Sequence, residues 1–315
     1  MRAFAVDQFG EAGSVHELPD PSPSEGQVRV RVQAAGLNPA DLSMMGGQYR
    51  DVMEHHLPLI PGLDVSGVVD QVGPGVSEFR EGDRVFGTHG KMVVGEGSVA
   101  ELVSANAAAL AGRPDGIDTE FGGTLPLAGV SALQVTEAAG LKAGDVVLVL
   151  GAAGGIGGFV IQLAAASGAR PIAVTRAVNH DYARGLGAAE TIDYETQDVF
   201  DMVRTAHPTG VTAIIDLVGD KEANNRLAEL LPVGGAVVSM RGGADADALG
   251  ARGLRAVNLM TQVNRQRLEH LGELVNQGAL RRPEIATFGL DKAAEAYALL
   301  ETRHLRGKLV VVPNR

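Results

Sequence analysis

The sequence predicts an α/β protein with a β-rich N-terminal lobe and a doubly wound parallel sheet. Three observations predict it. Residues 1–112 carry short apolar runs cut by Pro and Gly turns. After about residue 120, strand-like apolar runs alternate with helical stretches. Between the first such strand and its helix lies Gly151-Ala152-Ala153-Gly154-Gly155-Ile156-Gly157-Gly158. The 315 residues suit about two domains.

In the first region, Gln27-Val28-Arg29-Val30-Arg31-Val32 alternates polar and apolar, the pattern of a half-exposed strand. Val65–Val72, Asp83–Phe86 and Val99–Val103 are further strands, divided by Pro61-Gly62, Gly73-Pro74-Gly75 and Glu81-Gly82-Asp83. In the second region Val146–Leu150 reads as a fully buried strand. Ile156–Ser167 follows as a helix with Ile156, Val160, Leu163 and Ala164 on one face. Strands are expected at Pro171–Thr175, Thr191–Asp193, Val211–Val218, Ala236–Met240 and Leu254–Leu259, with helices at Asp181–Leu186 and Glu222–Leu231. The tail reads as helices Arg265–Gln277 and Lys292–Glu301, then a closing strand Lys308–Val312 that returns to the β-rich lobe.

Composition excludes several classes. There is no cysteine, which removes disulfides, thiolate zinc sites, iron–sulfur clusters and a cysteine nucleophile. Net charge is −11, with eight Phe, four Tyr and no Trp, a poor basis for binding nucleic acid or an anionic membrane. The apolar run at Met1–Val6 is too short for a signal peptide, and a cytoplasmic protein is expected. Val146–Ala166 has the length of a membrane helix, with only Gln162 polar. Its five glycines favour a buried strand, a turn and a buried helix instead.

That glycine turn carries the chemistry. Bare backbone there can approach a pyrophosphate, and the helix that follows opens with N–H groups aimed at the anion. The strict G-x-G-x-x-G spacing is not met; G-x-x-G-G-x-G is. A glycine-rich packing turn without a ligand is the bland alternative. Sites for NAD place an acid about 20 residues on, at the end of the second strand. Here the strand ends Val174-Thr175-Arg176, with Asn179 and His180 beyond. A guanidinium can pair with a 2′-phosphate that a carboxylate would repel, so NADP is the expected cofactor.

The chain resembles the zinc-independent quinone oxidoreductases (zeta-crystallin-like) of the medium-chain dehydrogenase/reductase superfamily over essentially its whole length. Gly36-Leu37-Asn38-Pro39-Ala40-Asp41 is similar to the family's asparagine–proline turn. Pro61–Val69, Val72–Val76 and Gly82-Asp83-Arg84-Val85 are similar to its β-lobe signature. Leu141–Asp145 and Arg306–Val310 match its cofactor entry and its ending.

The resemblance implies a GroES-like lobe over residues 1–118, a Rossmann NADP-binding domain over 119–260, and a return to the first domain over 261–315. It implies cofactor contacts from Ser131, Ala153, Gly154, Gly155, Ile156, Thr175, Arg176, His180 and Tyr194. On the nicotinamide side it implies Val218, Gly219, Met240, Arg241, Gly242, Asn258, Leu259 and Lys308. Val218 and Leu259 are apolar positions expected to be buried in any case, and Tyr194 reads equally as plain surface. The implied activity is reduction of quinones or similar electron-poor conjugated carbonyl compounds. Reduction of an enoyl or enone C=C bond, and NADPH binding without turnover, are the alternatives. Family members pair through the sixth strand, so a homodimer is expected.

Zinc-dependent relatives use Cys and His ligands, and here Leu63 replaces the histidine of Pro-Gly-His-Glu. No metal is expected, and Asp64 reads as a hydrogen-bonded loop anchor. A short-chain dehydrogenase would need Tyr-x-x-x-Lys, which none of the four tyrosines provides. No catalytic acid is assigned. Asn38 could orient a substrate carbonyl. Ser43 stands where some members carry a tyrosine, and Tyr49 could reach in. Met44, Met45, Met53 and His55-His56 suggest a mobile rim, though they read equally as packing and surface.

Overall fold

A strand whose side chains alternate in polarity buries one face, and Gln27–Gly36 does so. Val28, Val30 and Val32 are fully buried, while Arg29 and Arg31 both reach the carboxylate of Asp70. The computed structural model describes residues 1–314. These divide into two compact units. One comprises Met1–Val130, Val263–Gln277 and the chain from Arg282 on; the other comprises Ser131–Gln262 with Gly278–Arg281.

The first unit opens with an antiparallel pair, β1 (Arg2–Ala5) and β2 (Ser14–Glu17). It continues through β3 (Gln27–Gly36), α1 (Pro39–Met45), β4 (Glu54–Ile60), β5 (Asp64–Val72), β6 (Arg84–Thr88), β7 (Val93–Glu96), β8 (Leu102–Asn106), β9 (Leu110–Gly112) and α2 (Thr119–Thr124). The division between the units falls within α3 (Pro126–Ala139). Strand β3 organises the lobe, pairing antiparallel with both β5 and β8. The strand expected at Val99–Val103 begins later, at Leu102, because Val99 and Ala100 are held in loop contacts with Phe4 and Ala3. β4 and β7 pair with each other, and their alternation is too weak to be read, since Glu54 to Leu57 are all exposed.

The second unit runs β10 (Val146–Leu150), α4 (Gly155–Ala166), β11 (Arg170–Val174), α5 (His180–Leu186), β12 (Glu190–Ile192), α6 (Val199–Ala206), β13 (Ala213–Asp216), α7 (Lys221–Leu227), β14 (Ala236–Ser239), α8 (Ala246–Gly250) and β15 (Arg255–Asn258). Its sheet has the order β12-β11-β10-β13-β14-β15 and every pair is parallel. This is the Rossmann order. It reverses at β10, so a crevice opens beyond the carboxyl ends of β10 and β13.

Helix α4 departs from the expected single apolar face. Every residue from Gly157 to Ala164 is buried, Gln162 included. Its amide bonds Arg281 N–H at 2.8 Å, which satisfies the one polar side chain of that stretch. The membrane-length run Val146–Ala166 is thus β10, a turn and α4. Among the described residues no helix is long and apolar enough to cross a membrane.

The tail returns to the first unit as α9 (Arg265–Asn276), β16 (Ile285–Gly289), α10 (Ala293–Glu301) and β17 (Lys308–Val312). β17 pairs antiparallel with the end of β3 and parallel with β16. Tyr297 and Leu300 of α10 join the core formed by Val28, Val65 and Leu309.

Candidate functional site

The glycines after β10 divide by physical role. Gly151 has φ +78°, a conformation that costs other residues strain. At Gly157 a Cβ would lie 2.3 Å from Gly151 O, so the helix can approach the turn only without a side chain. Gly154 is different: a Cβ there would meet nothing closer than Gly151 O at 3.5 Å. Packing therefore demands glycine at 151 and 157 and leaves space in front of 154. Gly154 is the N-cap of α4 and offers no side chain to the first-turn amides of Gly155, Ile156 and Gly157. Open amides, a bare cap and a positive dipole end form a seat for a diphosphate. These residues fit a dinucleotide.

Next to the turn, Ala152 N–H bonds Val174 O at 3.3 Å, so the end of β11 lies against it. Thr175 is buried, its hydroxyl accepting from Asn179 Nδ2 at 3.2 Å. Arg176 follows as the N-cap of a short 3₁₀ turn and is half-buried. His180 opens α5 with a buried Nε2 that has no hydrogen-bond partner. Tyr194 is exposed beyond β12. Sequence reasoning missed Asp193 here. It is buried beside these residues, and its carboxyl is held below the usual range by the Thr196 hydroxyl, then by Glu195 N–H, with His180 also contributing.

At the carboxyl ends of β13 and β14 the organising residue is also one the sequence left unmarked. Asp216 is fully buried. One oxygen accepts from Val218 N–H and Gly219 N–H, each at 2.9 Å. The other accepts from the Ser239 hydroxyl at 2.7 Å and Asn224 Nδ2 at 2.9 Å. Ser239 Oγ in turn accepts from Arg241 N–H at 3.1 Å and Gly243 N–H at 3.0 Å. This clamp brings Val218 and Gly219 to Arg241: a Cβ on Gly219 would fall 2.7 Å from Arg241 Cβ. Val218 corrects the expectation of burial, being 56% exposed at the strand end. Met240 N–H bonds Asp216 O, while Arg241 and Gly242 are exposed. Asn258 spends its amide on Ala244, accepting at 3.1 Å and donating at 2.8 Å, and Leu259 N–H bonds Ser239 O. Ser131 is buried with its hydroxyl 2.6 Å from that of Thr261.

In the first unit a buried polar cluster joins α1, β5 and β17. Asn38 Nδ2 donates to Asp64 Oδ2 at 2.9 Å and to Gly36 O at 3.3 Å. Lys308 Nζ donates to Asn38 Oδ1 at 2.6 Å and to Leu37 O at 2.9 Å, and lies 3.7 Å from Asp64. Both Asn38 amide hydrogens are thus used internally, which corrects the reading of Asn38 as the orienter of a substrate carbonyl. Lys308 is 5% exposed, and two of its ammonium hydrogens are used within this cluster. Asp64 is the loop anchor expected of it: its second oxygen accepts Leu127 N–H at 2.9 Å. Burial shifts this pair toward its neutral forms, Asp64 upward and Lys308 downward, against their mutual attraction. Asp41 caps α1 by accepting Asn38 N–H, and burial pushes its carboxyl up to about 7.

Ser43 and Tyr49 are half-buried beyond this cluster. Ser43 Oγ reaches only Pro39 O, at 3.5 Å. Tyr49 packs with Met44, Met45 and Met53 around Val6, Leu59 and Val94, so the expected rim is a small core. His55 stacks edgewise on Phe9, and His56 bonds Glu96 at 2.9 Å.

Comparison with known proteins agrees with this fold. Residues 24–115 match the alcohol dehydrogenase GroES-like domain, and residues 186–311 match a family described as zinc-binding dehydrogenase. The 2-methylene-furan-3-one reductase of Solanum lycopersicum is 33% identical over 99% of this chain and 79% of its own. The NADPH-dependent alkenal/one oxidoreductase (chloroplastic) of Arabidopsis thaliana is 33% identical over 99% of this chain and 80% of its own. The solved quinone oxidoreductase of Coxiella burnetii superposes with a TM-score of 0.89 at 33% identity, covering 99% of both chains. The chain belongs to the quinone oxidoreductase family of medium-chain dehydrogenases/reductases. As a member of that family it is an oxidoreductase that works with a nicotinamide cofactor on a small molecule.

Proposed function

We propose that this quinone oxidoreductase homologue is an NADPH-dependent, metal-free reductase of quinones or similarly electron-poor, carbonyl-conjugated alkenes. The observation that carries the cofactor choice is Arg176, a guanidinium two residues beyond the end of β11, where an NAD site would hold an acid. The cofactor supplies the hydride when bound. Ala153, Gly154, Gly155 and Ile156 would hold its diphosphate. Thr175, Arg176, His180 and Tyr194 would hold its adenosine phosphate. Ser131 and the strand ends clamped by Asp216 would orient the nicotinamide half. The names of the tomato, Arabidopsis and Coxiella relatives support both acceptor classes. The lack of cysteine and the leucine at position 63 support chemistry without zinc.

The test is loss of reduced-nicotinamide absorbance with a quinone and with an enone, in the presence of a chelator. Faster turnover with NADPH than NADH is expected, and the acceptor panel separates quinone from C=C reduction. An absolute zinc requirement, or preference for NADH, overturns the reading.

A homodimer in the cytoplasm belongs to the same proposal. β15 is an edge strand with Arg255 and Asn258 exposed, and Met260 just beyond it is 84% exposed. An uncovered edge invites a twofold partner. Sedimentation showing only monomer would refute the dimer, and cell fractionation tests the compartment.

A further inference from the structure

Arg113 is a buried guanidinium that forms no ion pair among the described residues. It follows β9, and its N–H bonds Arg84 O at 2.8 Å, which fixes its backbone against the start of β6. The residue is 8% exposed. Nη1 donates to Ile117 O at 2.9 Å, and Nε is fully enclosed with no hydrogen-bond partner. No described group accepts from Nη2, and that atom is not among the enclosed ones. Burial first, and then the charge of Arg84 nearby, pull the group's pKa down, with Asp118 opposing. A cation held this way is costly until an anion joins it.

Arg113 lines a cavity of about 500 Å³, a size within the range of small-molecule sites. Every lining residue belongs to the first unit, and none was assigned above to cofactor or substrate. The charges in the wall are mostly spent. Arg84 pairs with Asp115. Arg265 pairs with Glu78 at 3.3 Å and donates to Ala107 O and Leu110 O. Asp83 accepts from Arg80 N–H at 2.9 Å and from Arg80 Nε at 3.3 Å. Arg113 and Glu269 are left, and they are unequal. Glu269 is exposed, so water screens it, whereas Arg113 is buried. The cavity therefore favours one negative charge. A dianion would carry its second charge beside Glu78, Asp83 and Glu269. Phe79 is the one apolar side chain in the lining, and the Arg265 guanidinium lies 5.0 Å over its ring. The lining carboxylates accept hydrogen bonds and donate none, which suits hydroxyl groups on a ligand.

We propose that this cavity binds a small hydroxy acid with a single carboxylate. That carboxylate accepts from Arg113 Nη2, and the ligand's hydroxyls donate to Asp83 and Glu269. The site stands apart from the function proposed above: NADPH turnover and hydroxy-acid binding can each fail while the other holds.

Calorimetric titration of the full chain with gluconate, sorbitol and inorganic phosphate tests this. Gluconate and sorbitol share a polyol chain and differ in the carboxylate. Gluconate should bind saturably and at least about tenfold more tightly than either of the others. No saturable gluconate binding, equal binding of sorbitol, or tighter binding of phosphate overturns the proposal. Arg113→Gln should weaken gluconate about 10–100-fold, the range for a hydrogen bond to a charged group, with NADPH affinity unchanged. Gly112 supplies a second variant, because a Cβ there would meet nothing within 4 Å. Gly112→Leu should fill the cavity without a clash and weaken gluconate as strongly, again sparing NADPH. Gluconate affinity within twofold of native in either folded variant also overturns it. If Arg113→Gln does not fold, Gly112→Leu and the sorbitol comparison on the native chain decide.

Discussion

Lys308 and Asn38 hold each other across the chain, Nζ to Oδ1 at 2.6 Å. The same ammonium is the only cation within 4 Å of the buried Asp64 carboxylate among the described residues. Removing one partner of a buried pair leaves the other uncompensated, at a cost of about 3–5 kcal/mol. Lys308→Met should lower the unfolding free energy by that amount in urea titration of the full chain. A change under about 1 kcal/mol would show that the ammonium is dispensable.

Two buried groups should tilt the pH dependence of stability in opposite directions. Asp41 sits at about 7 in the fold against an ordinary 3.8. Its contribution is fully present below 3.8 and is lost as pH rises through 7. His89 sits at about 4 against an ordinary 6.5, so its contribution is present above 6.5 and is lost as pH falls through 4. Each swing is on the order of 3–4 kcal/mol. Asp41→Asn should steepen the loss of stability on acidification from pH 7 to 4, and His89→Gln should flatten it. Parallel curves for both variants and the native protein would contradict these assignments.

Arg176→Ala should weaken NADPH about 10–100-fold, the range for one or two charge-assisted bonds to phosphate, and leave NADH affinity unchanged. Calorimetric titration with both coenzymes reads this. Equal losses for the two would place Arg176 away from the 2′-phosphate.

The glycine turn offers a matched pair. Gly157→Ala puts a methyl group 2.3 Å from Gly151 O and should cost stability outright. Gly154→Ala meets no such obstacle in the protein. It should leave the melting temperature within about 2 °C while weakening coenzyme binding several-fold, because the methyl group occupies the diphosphate's approach. Unimpaired binding in folded Gly154→Ala would mean that the phosphates pass elsewhere.

How much was readable follows from what each element buries. β10 and β17 were legible residue for residue, because an interior strand shows as an unbroken apolar run. Helix α3 escaped notice, since Pro126–Ala139 lacks a polar stripe that would announce a helical period. The glycine turn after β10 could be read because its neighbours in space are also neighbours in sequence. The Asp216 clamp could not: an Asp at a strand end reads alike whether it is hydrated or fourfold bonded inside. The pairing of Asn38 with Lys308 was hidden for a related reason. Only the folded chain reveals that polar residues from opposite ends consume one another's hydrogen bonds.

The pairing of β17 with β3 has a bearing on biosynthesis. The GroES-like lobe draws on both extremities of the polypeptide, whereas the Rossmann sheet is encoded in one uninterrupted stretch. During translation the sheet has all its strands before the lobe has its last ones, so a chain that has emerged as far as Arg281 carries all six Rossmann strands while the lobe still lacks β16, α10 and β17. Clipping the final eight residues would strip Lys308 from its partners and should harm the earliest-made part of the molecule most.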